Sequence, residues 1–76
     1  MVKEWTVEES KSIVKNCNIV EGEIYINKKN GNEYKFQGAE IHSETLEPMV
    51  AYIDYEQTRW TRPYHLFFEK FFKKEA

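Results

Sequence analysis

Hydrophobic and polar positions along the chain change period twice, and each period predicts a different kind of element. Near the start of the chain, Thr6 followed by Glu9 fits a capping box, in which each side chain accepts a hydrogen bond from a free backbone N–H of a helix start. A helix is therefore predicted over residues 7–16. Its apolar positions are sparse for a core helix, so we expect residues 1–20 to form a helical arm that lies across a sheet.

From Gly22 onward, apolar positions alternate with polar ones, which is typical of strands. The pattern predicts strands over residues 23–27, 34–41, 49–55 and 59–63. Asn30 and Gly31 suit a tight hairpin between the first two strands because they tolerate a positive φ, and Gly38 marks a bulge or bend. The third strand is apolar on both faces as far as Asp54, as expected of a strand enclosed within a barrel.

After Pro63 the period becomes helical again. A stripe of aromatic residues with lysines between them predicts a short amphipathic helix; the stripe consists of Tyr64, Phe67, Phe68, Phe71 and Phe72. The four phenylalanines are most simply core, and the part that one small sheet cannot cover is available for a homodimer contact. The stripe is too short for stable membrane anchoring, so no membrane partner is expected.

Together these elements predict a mostly β fold of the α+β class. The expected architecture is a small SH3-like β-barrel of about four or five strands, with an N-terminal helix and a short C-terminal helix. A chain of 76 residues has room for one core, so we expect a single domain over residues 1–76, with the arm over 1–20 and the barrel over 21–76.

Charge and cysteine content narrow the range of partners. The net charge of -2 is uneven, because residues 40–56 hold five acids and no Lys or Arg, whereas residues 57–76 hold five bases and two acids. A second basic spot contains Lys28, Lys29 and Lys35. The single Cys17 cannot form an internal disulfide, and the first residues contain no apolar run, so a cytoplasmic location is expected.

The segment HSETLEP, residues 42–48, interrupts the alternation and is predicted to be a loop, because Pro48 lacks the N–H that a central strand needs. His42 and Glu44 share a face if the chain is extended, which allows an acid and base pair; His42 and Ser43 point opposite ways, which counts against a Ser–His nucleophile. A His42 that caps the loop through backbone bonds is favoured. No close pairing of metal ligands is present, so neither a metal nor a cofactor is expected.

Trp60 and Arg62 are two positions apart on the fourth predicted strand and therefore share a face. An indole plane and a guanidinium fork can then contact one ligand, with Tyr52 as a second stacking surface and the hydroxyls of Ser43 and Thr45 as hydrogen-bonding groups. In the alternative interpretation, Arg62 pairs with a loop carboxylate and pins the loop. The candidate ligand-binding residues are His42, Ser43, Glu44, Thr45, Glu47, Tyr52, Trp60 and Arg62.

Three ordered motifs give the chain a resemblance to a known family. A glycine and tyrosine start at Gly22 and Tyr25, the HSETLEP loop leading into VAY, and the run WTRP followed by Phe67 resemble domain of unknown function 1653, a family of small bacterial and phage proteins. The resemblance covers about residues 20–71. It implies that the loop, Tyr52 and the WTRP run belong to one constellation, but it implies no activity.

These features favour binding over catalysis. The leading hypothesis is a module that recognises, and by analogy with other small phage proteins sequesters, a small molecule or nucleotide-type ligand at the loop with Trp60 and Arg62. Two alternatives are a protein-interaction module and a small barrel that binds nucleic acid, although the net charge disfavours nucleic acid. A further alternative is a small acid/base enzyme that uses His42 and Glu44.

Overall fold

The computed structural model describes residues 3–75, so residues 1 and 2 of the predicted arm and residue 76 of the predicted core lie outside it. The elements in chain order are α1 (Val7–Lys15), β1 (Ile24–Asn27), β2 (Glu33–Ile41), β3 (Pro48–Ile53), β4 (Arg59–Pro63), α2 (Tyr64–Lys70) and β5 (Phe71–Lys73). Successive strands pair antiparallel from β1 to β4, and β5 returns to pair with β1. The mostly β class is confirmed. Across residues 3–75, no helix is both long and apolar enough to cross a membrane.

The N-terminal helix begins as the sequence predicts. The N–H of Glu9 donates to the hydroxyl of Thr6 at 3.2 Å, and the N–H of Thr6 donates to the carboxylate of Glu9 at 3.1 Å, which completes the capping box. The helix contacts β2 and β3. Ser10 is fully buried and its hydroxyl donates to the carbonyl of Leu46, so α1 is tied directly to the loop between those two strands.

The predicted first hairpin and bulge are both present. The N–H of Gly31, whose φ is 73°, donates to the carbonyl of Asn27 at 2.8 Å and closes the turn between β1 and β2. The pairing register of β2 with β3 shifts between Phe36 and Gly38, which is the bulge that the glycine predicts.

Pro48 is the first residue of β3, which corrects the prediction that it lies in the loop. The N–H of His42 donates to the carbonyl of Glu47 at 2.9 Å, so these two residues form the hydrogen-bonded pair of the ladder. Hydrogen-bonded and non-hydrogen-bonded pairs alternate between antiparallel strands. The next pair, Ile41 with Pro48, therefore needs no N–H from the proline.

The predicted C-terminal helix is too long. It ends at Lys70, and the two residues that follow are strand, with Phe71 opposite Asn27 and Phe72 opposite Ile26 on β1. Phe71 is 2% exposed and Phe72 is 47% exposed, as the alternation of a strand requires. Pairing with β1 therefore overrides the helical spacing of the aromatic residues. Of the four phenylalanines predicted to provide a homodimer contact, only Phe72 is exposed. The homodimer contact itself stays a prediction.

The core lies on one face of a strongly curled sheet. Its buried hydrophobic residues are Tyr25, Phe36, Val50, Tyr52, Phe67 and Phe71. Strands β4 and β5 are the two edges of the sheet order, and in a flat sheet they would lie about 19 Å apart. Instead, the guanidinium carbon of Arg62 on β4 lies 5.3 Å from the ring centre of Phe71 on β5. The two edges approach but do not pair, so the sheet is open and the expected SH3-like barrel is not confirmed.

Candidate functional site

The loop between β2 and β3 is held by its own polar groups. The imidazole Nδ1 of His42 accepts backbone N–H bonds from Glu44 at 3.1 Å and Thr45 at 3.2 Å, and the hydroxyl of Thr45 accepts the N–H of Glu47 at 3.3 Å. Leu46 takes a φ of 63° to complete the turn. Both bonds to His42 require an unprotonated Nδ1, so the geometry gives the imidazole the capping role that the sequence analysis favoured.

Within residues 3–75, no hydrogen bond or ion pair joins the remaining loop side chains to Arg62 or Trp60. Ser43 and Glu44 are exposed, and the carboxylate of Glu47 lies 3.8 Å from Nδ1 of His65 on α2. Among residues 3–75, no ion pair joins Arg62 to an acid of the loop. The alternative in which Arg62 pins the loop therefore finds no support in the contacts.

The strand register separates Trp60 from the loop. Trp60 lies opposite Tyr52 on β3, whereas the loop joins β3 at Pro48. Four residues of strand separate those two positions, which corresponds to about 13 Å. Tyr52 itself is 5% exposed and packs edge-on against Tyr34 and Phe71, so it offers no free ring face for stacking.

Trp60 is fixed on the edge strand by the turn between β3 and β4. Its indole N–H donates to one carboxylate oxygen of Asp54 at 3.0 Å, and the other oxygen accepts the N–H groups of Glu56 at 3.0 Å and Thr58 at 2.9 Å. The indole bond, and after it the backbone bond from Thr58, lower the pKa of Asp54. Half of the Trp60 surface remains exposed in this fixed orientation.

A fall in pH is expected to break the hydrogen bond between the Trp60 indole and the Asp54 carboxylate. Because the folded-state pKa of Asp54 is lowered, its bonds stabilise the turn fully above the ordinary pKa of 3.8 and are lost as the pH falls further, through the folded-state pKa. In a Trp5→Phe background, the emission of Trp60 should change in this acidic range. The same transition in an Asp54→Asn variant would contradict the assignment.

A basic cavity lies between the end of β1, the edge strand β4 and the end of α2. It has a volume of about 590 Å³ and is lined by Asn27, Lys28, Lys29, Arg62, Glu69 and Lys70. These residues come from three segments: the turn after β1, the edge strand β4 and the end of α2. Four cationic side chains face a single carboxylate, so the cavity carries an excess of positive charge.

Two backbone carbonyls at the end of α2 fix the turn that forms one wall of this cavity. The N–H of Lys28 donates to the carbonyl of Lys70 at 2.9 Å, and its ammonium group donates to the carbonyl of Glu69 at 3.0 Å. A cation is favourable at the C-terminal end of a helix, where unpaired carbonyls are concentrated. Lys28 thus has a structural role, whereas the ammonium of Lys29 is exposed beside the cavity.

Arg62 is the most informative residue of the cavity. The residue is half-buried, with its guanidinium over the ring of Phe71, and within residues 3–75 that guanidinium has neither a hydrogen bond nor an ion pair. A guanidinium presents five N–H donors, and a partly desolvated charge without a counter-ion is unfavourable. The wall of the cavity therefore contains a cation whose donors are available to an anion.

The sequence analysis identified Arg62 and the basic spot at Lys28 and Lys29 but did not bring them together. Their proximity depends on the curl of the sheet and on the pairing of β5 with β1, neither of which has a local sequence signal. Lys70 was missed for the same reason.

Comparison with curated proteins and with solved structures gives no significant match. A family model described as protein of unknown function (DUF1653) matches residues 29–75, from the turn before β2 to two residues past the end of β5. The match covers more than half of the chain and includes the loop, Trp60, Arg62 and Lys70. The resemblance seen in the three motifs is confirmed, and the chain belongs to the DUF1653 family of proteins of unknown function.

Proposed function

We propose that this protein is a binding module for a small anionic ligand of nucleotide type, which occupies the basic cavity. The observation that carries the proposal is Arg62, which is half-buried, lines the cavity and has no counter-ion within residues 3–75. The volume of about 590 Å³ is in the range that small-molecule sites occupy, roughly 300–1,000 Å³. The site thus retains Arg62 and Trp60 of the predicted constellation and replaces the loop by Lys29 and Lys70.

Each part of a nucleotide has a suitable group in this arrangement. The planar fork of Arg62 can bind two phosphate oxygens at once, and the ammonium groups of Lys29 and Lys70 add positive charge. Trp60 lies two positions before Arg62 on the same face of β4, about 7 Å along the strand, and presents a half-exposed ring for a base. The imidazole of His42 accepts backbone hydrogen bonds within the loop, so the proposal involves binding and not acid/base catalysis.

Single-stranded nucleic acid is a second candidate, and one observation favours it. Tyr55 is 85% exposed in the turn between β3 and β4, and Trp60 follows on β4 with half of its surface exposed, so two exposed aromatic rings lie close together in the chain. Stacking of successive bases on such rings, together with cations along the backbone, is the usual way to bind single strands. Binding of this kind should weaken steeply with salt, whereas a single nucleotide should show a shallow salt dependence.

The proposal is tested by titrating AMP and ADP, and GMP and GDP, into the ¹⁵N-labelled protein at low salt. We expect amide shifts in three segments, residues 27–29, 60–62 and 69–71, and none in the loop at 42–47. No shift in these three segments at millimolar nucleotide, or shifts confined to the loop, would contradict the proposal.

A matched pair of variants separates specific binding from general charge attraction. The double variant with Lys29→Gln and Lys70→Gln removes two cavity lysines, and the double variant with Lys11→Gln and Lys15→Gln removes two exposed lysines of α1. Both lose the same charge. Only the cavity variant should weaken nucleotide binding, by roughly tenfold; equal weakening in both would show that the site is not the cavity.

A further inference from the structure

We infer that the cavity recognises a chain of at least two linked phosphates, as in a diphosphate or triphosphate group, and that this chain bridges the two edges of the sheet. The inference rests on the proposed function and specifies the ligand of the same site. It follows from the charge of the cavity, from its size and from the positions of its cations on the two edges.

The first argument is charge. The lining contains four cationic side chains and one carboxylate, that of Glu69. The ammonium of Lys70 lies 3.9 Å from this carboxylate. The excess is therefore three positive charges. A single phosphate group carries about 1.5 to 2 negative charges at neutral pH, so it leaves about one cation without a partner. A second linked phosphate supplies the missing charge.

The second argument is size. A volume of about 590 Å³ is roughly twenty times the share of one water molecule in the liquid, which is about 30 Å³. A lone phosphate is only five heavy atoms, so it would fill a small part of this space and contact one wall. A linear phosphate chain can reach both walls.

The third argument is the position of the cations. Arg62 belongs to the edge strand β4, whereas Lys29 follows β1 and Lys70 precedes the other edge strand, β5. No strand pairing joins β4 to β1 or β5. Anionic groups held at once by Arg62 and by Lys70 would therefore connect two edges that the backbone leaves unpaired, with Lys29 beside them at the end of β1.

The test compares inorganic pyrophosphate with inorganic phosphate by calorimetry on the full chain, in metal-free buffer at matched ionic strength. We expect pyrophosphate to bind at least tenfold more tightly. It should also slow amide hydrogen exchange on both edges, in residues 59–63 and in residues 71–73. A preference below threefold, or slower exchange on one edge only, would overturn the inference.

A variant and a nucleotide arm complete the design. Lys29→Gln should reduce the preference for pyrophosphate over phosphate severalfold, because it removes one of the cations opposite Arg62; an unchanged preference would overturn the bridging geometry. ADP should shift the indole N–H resonance of Trp60, whereas pyrophosphate should leave it in place.

If AMP binds at the cavity but pyrophosphate binds no more tightly than phosphate, the inference fails while the proposed function stands. If no nucleotide and neither inorganic anion shifts residues 27–29, 60–62 or 69–71, both fail.

Discussion

Replacement of Phe67 by alanine is expected to lower the free energy of unfolding by about 3–5 kcal/mol. Phe67 has no exposed surface, its ring stacks on Phe71 at 4.5 Å between centres, and it packs against Tyr25 at 5.2 Å and Tyr52 at 5.3 Å. A domain of this length has roughly 4–11 kcal/mol of stability in total. The variant should therefore be largely unfolded or close to it, which urea denaturation followed by circular dichroism will measure.

Phe72 provides the matched control, because it is the same residue type in the same aromatic stripe but is 47% exposed. Phe72→Ala should cost less than about 1 kcal/mol. If it costs as much as Phe67→Ala, Phe72 is buried in a contact that one chain does not contain, and the loss should then depend on protein concentration, as the predicted homodimer requires.

The second large effect concerns Arg62. Arg62→Gln should weaken binding of ADP or pyrophosphate by about 10- to 150-fold, since hydrogen bonds between charged groups contribute about 1.5–3 kcal/mol. The same change should alter stability by less than about 1 kcal/mol, because loss of the contact with Phe71 is offset by removal of a half-buried charge without a counter-ion. Calorimetry and urea denaturation measure the two quantities separately.

Arg59→Gln is the control for this variant. Arg59 lies on the same strand, three positions before Arg62, so its side chain is on the opposite face. It should retain nearly all of the affinity. Equal losses in the two variants would show that net charge and not the cavity determines binding, and an unfolded Arg62→Gln protein would show that Arg62 is structural.

Local rules predicted the parts of the fold that local contacts determine. The capping box of Thr6 and Glu9, the tight turn at Gly31 and the bulge at Gly38 each depend on residues within a few positions of one another. Phe71 is different, because its conformation depends on Asn27 across the sheet. The helical spacing of the phenylalanines does not indicate that the last of them will pair with a distant strand instead of continuing the helix.

The candidate site was predictable only in part, for a related reason. Alternation along one strand correctly placed Trp60 and Arg62 on one face, since that needs only the period of two. The prediction that they act together with the loop of His42 needs long-range geometry that alternation does not report. The curl of the sheet instead turns Arg62 toward the end of α2, and this curl is a property of the assembled sheet.

The position of β5 also determines when the protein can fold during synthesis. Two of the buried core residues, Phe67 and Phe71, lie in α2 and in β5, and Phe71 pairs with Asn27 on β1. Contacts between residues so distant in the chain form slowly, because a long loop must close first. On the ribosome, the meander from β1 to β4 will therefore emerge with its aromatic face uncovered, and the core can close only after β5 has left the exit tunnel.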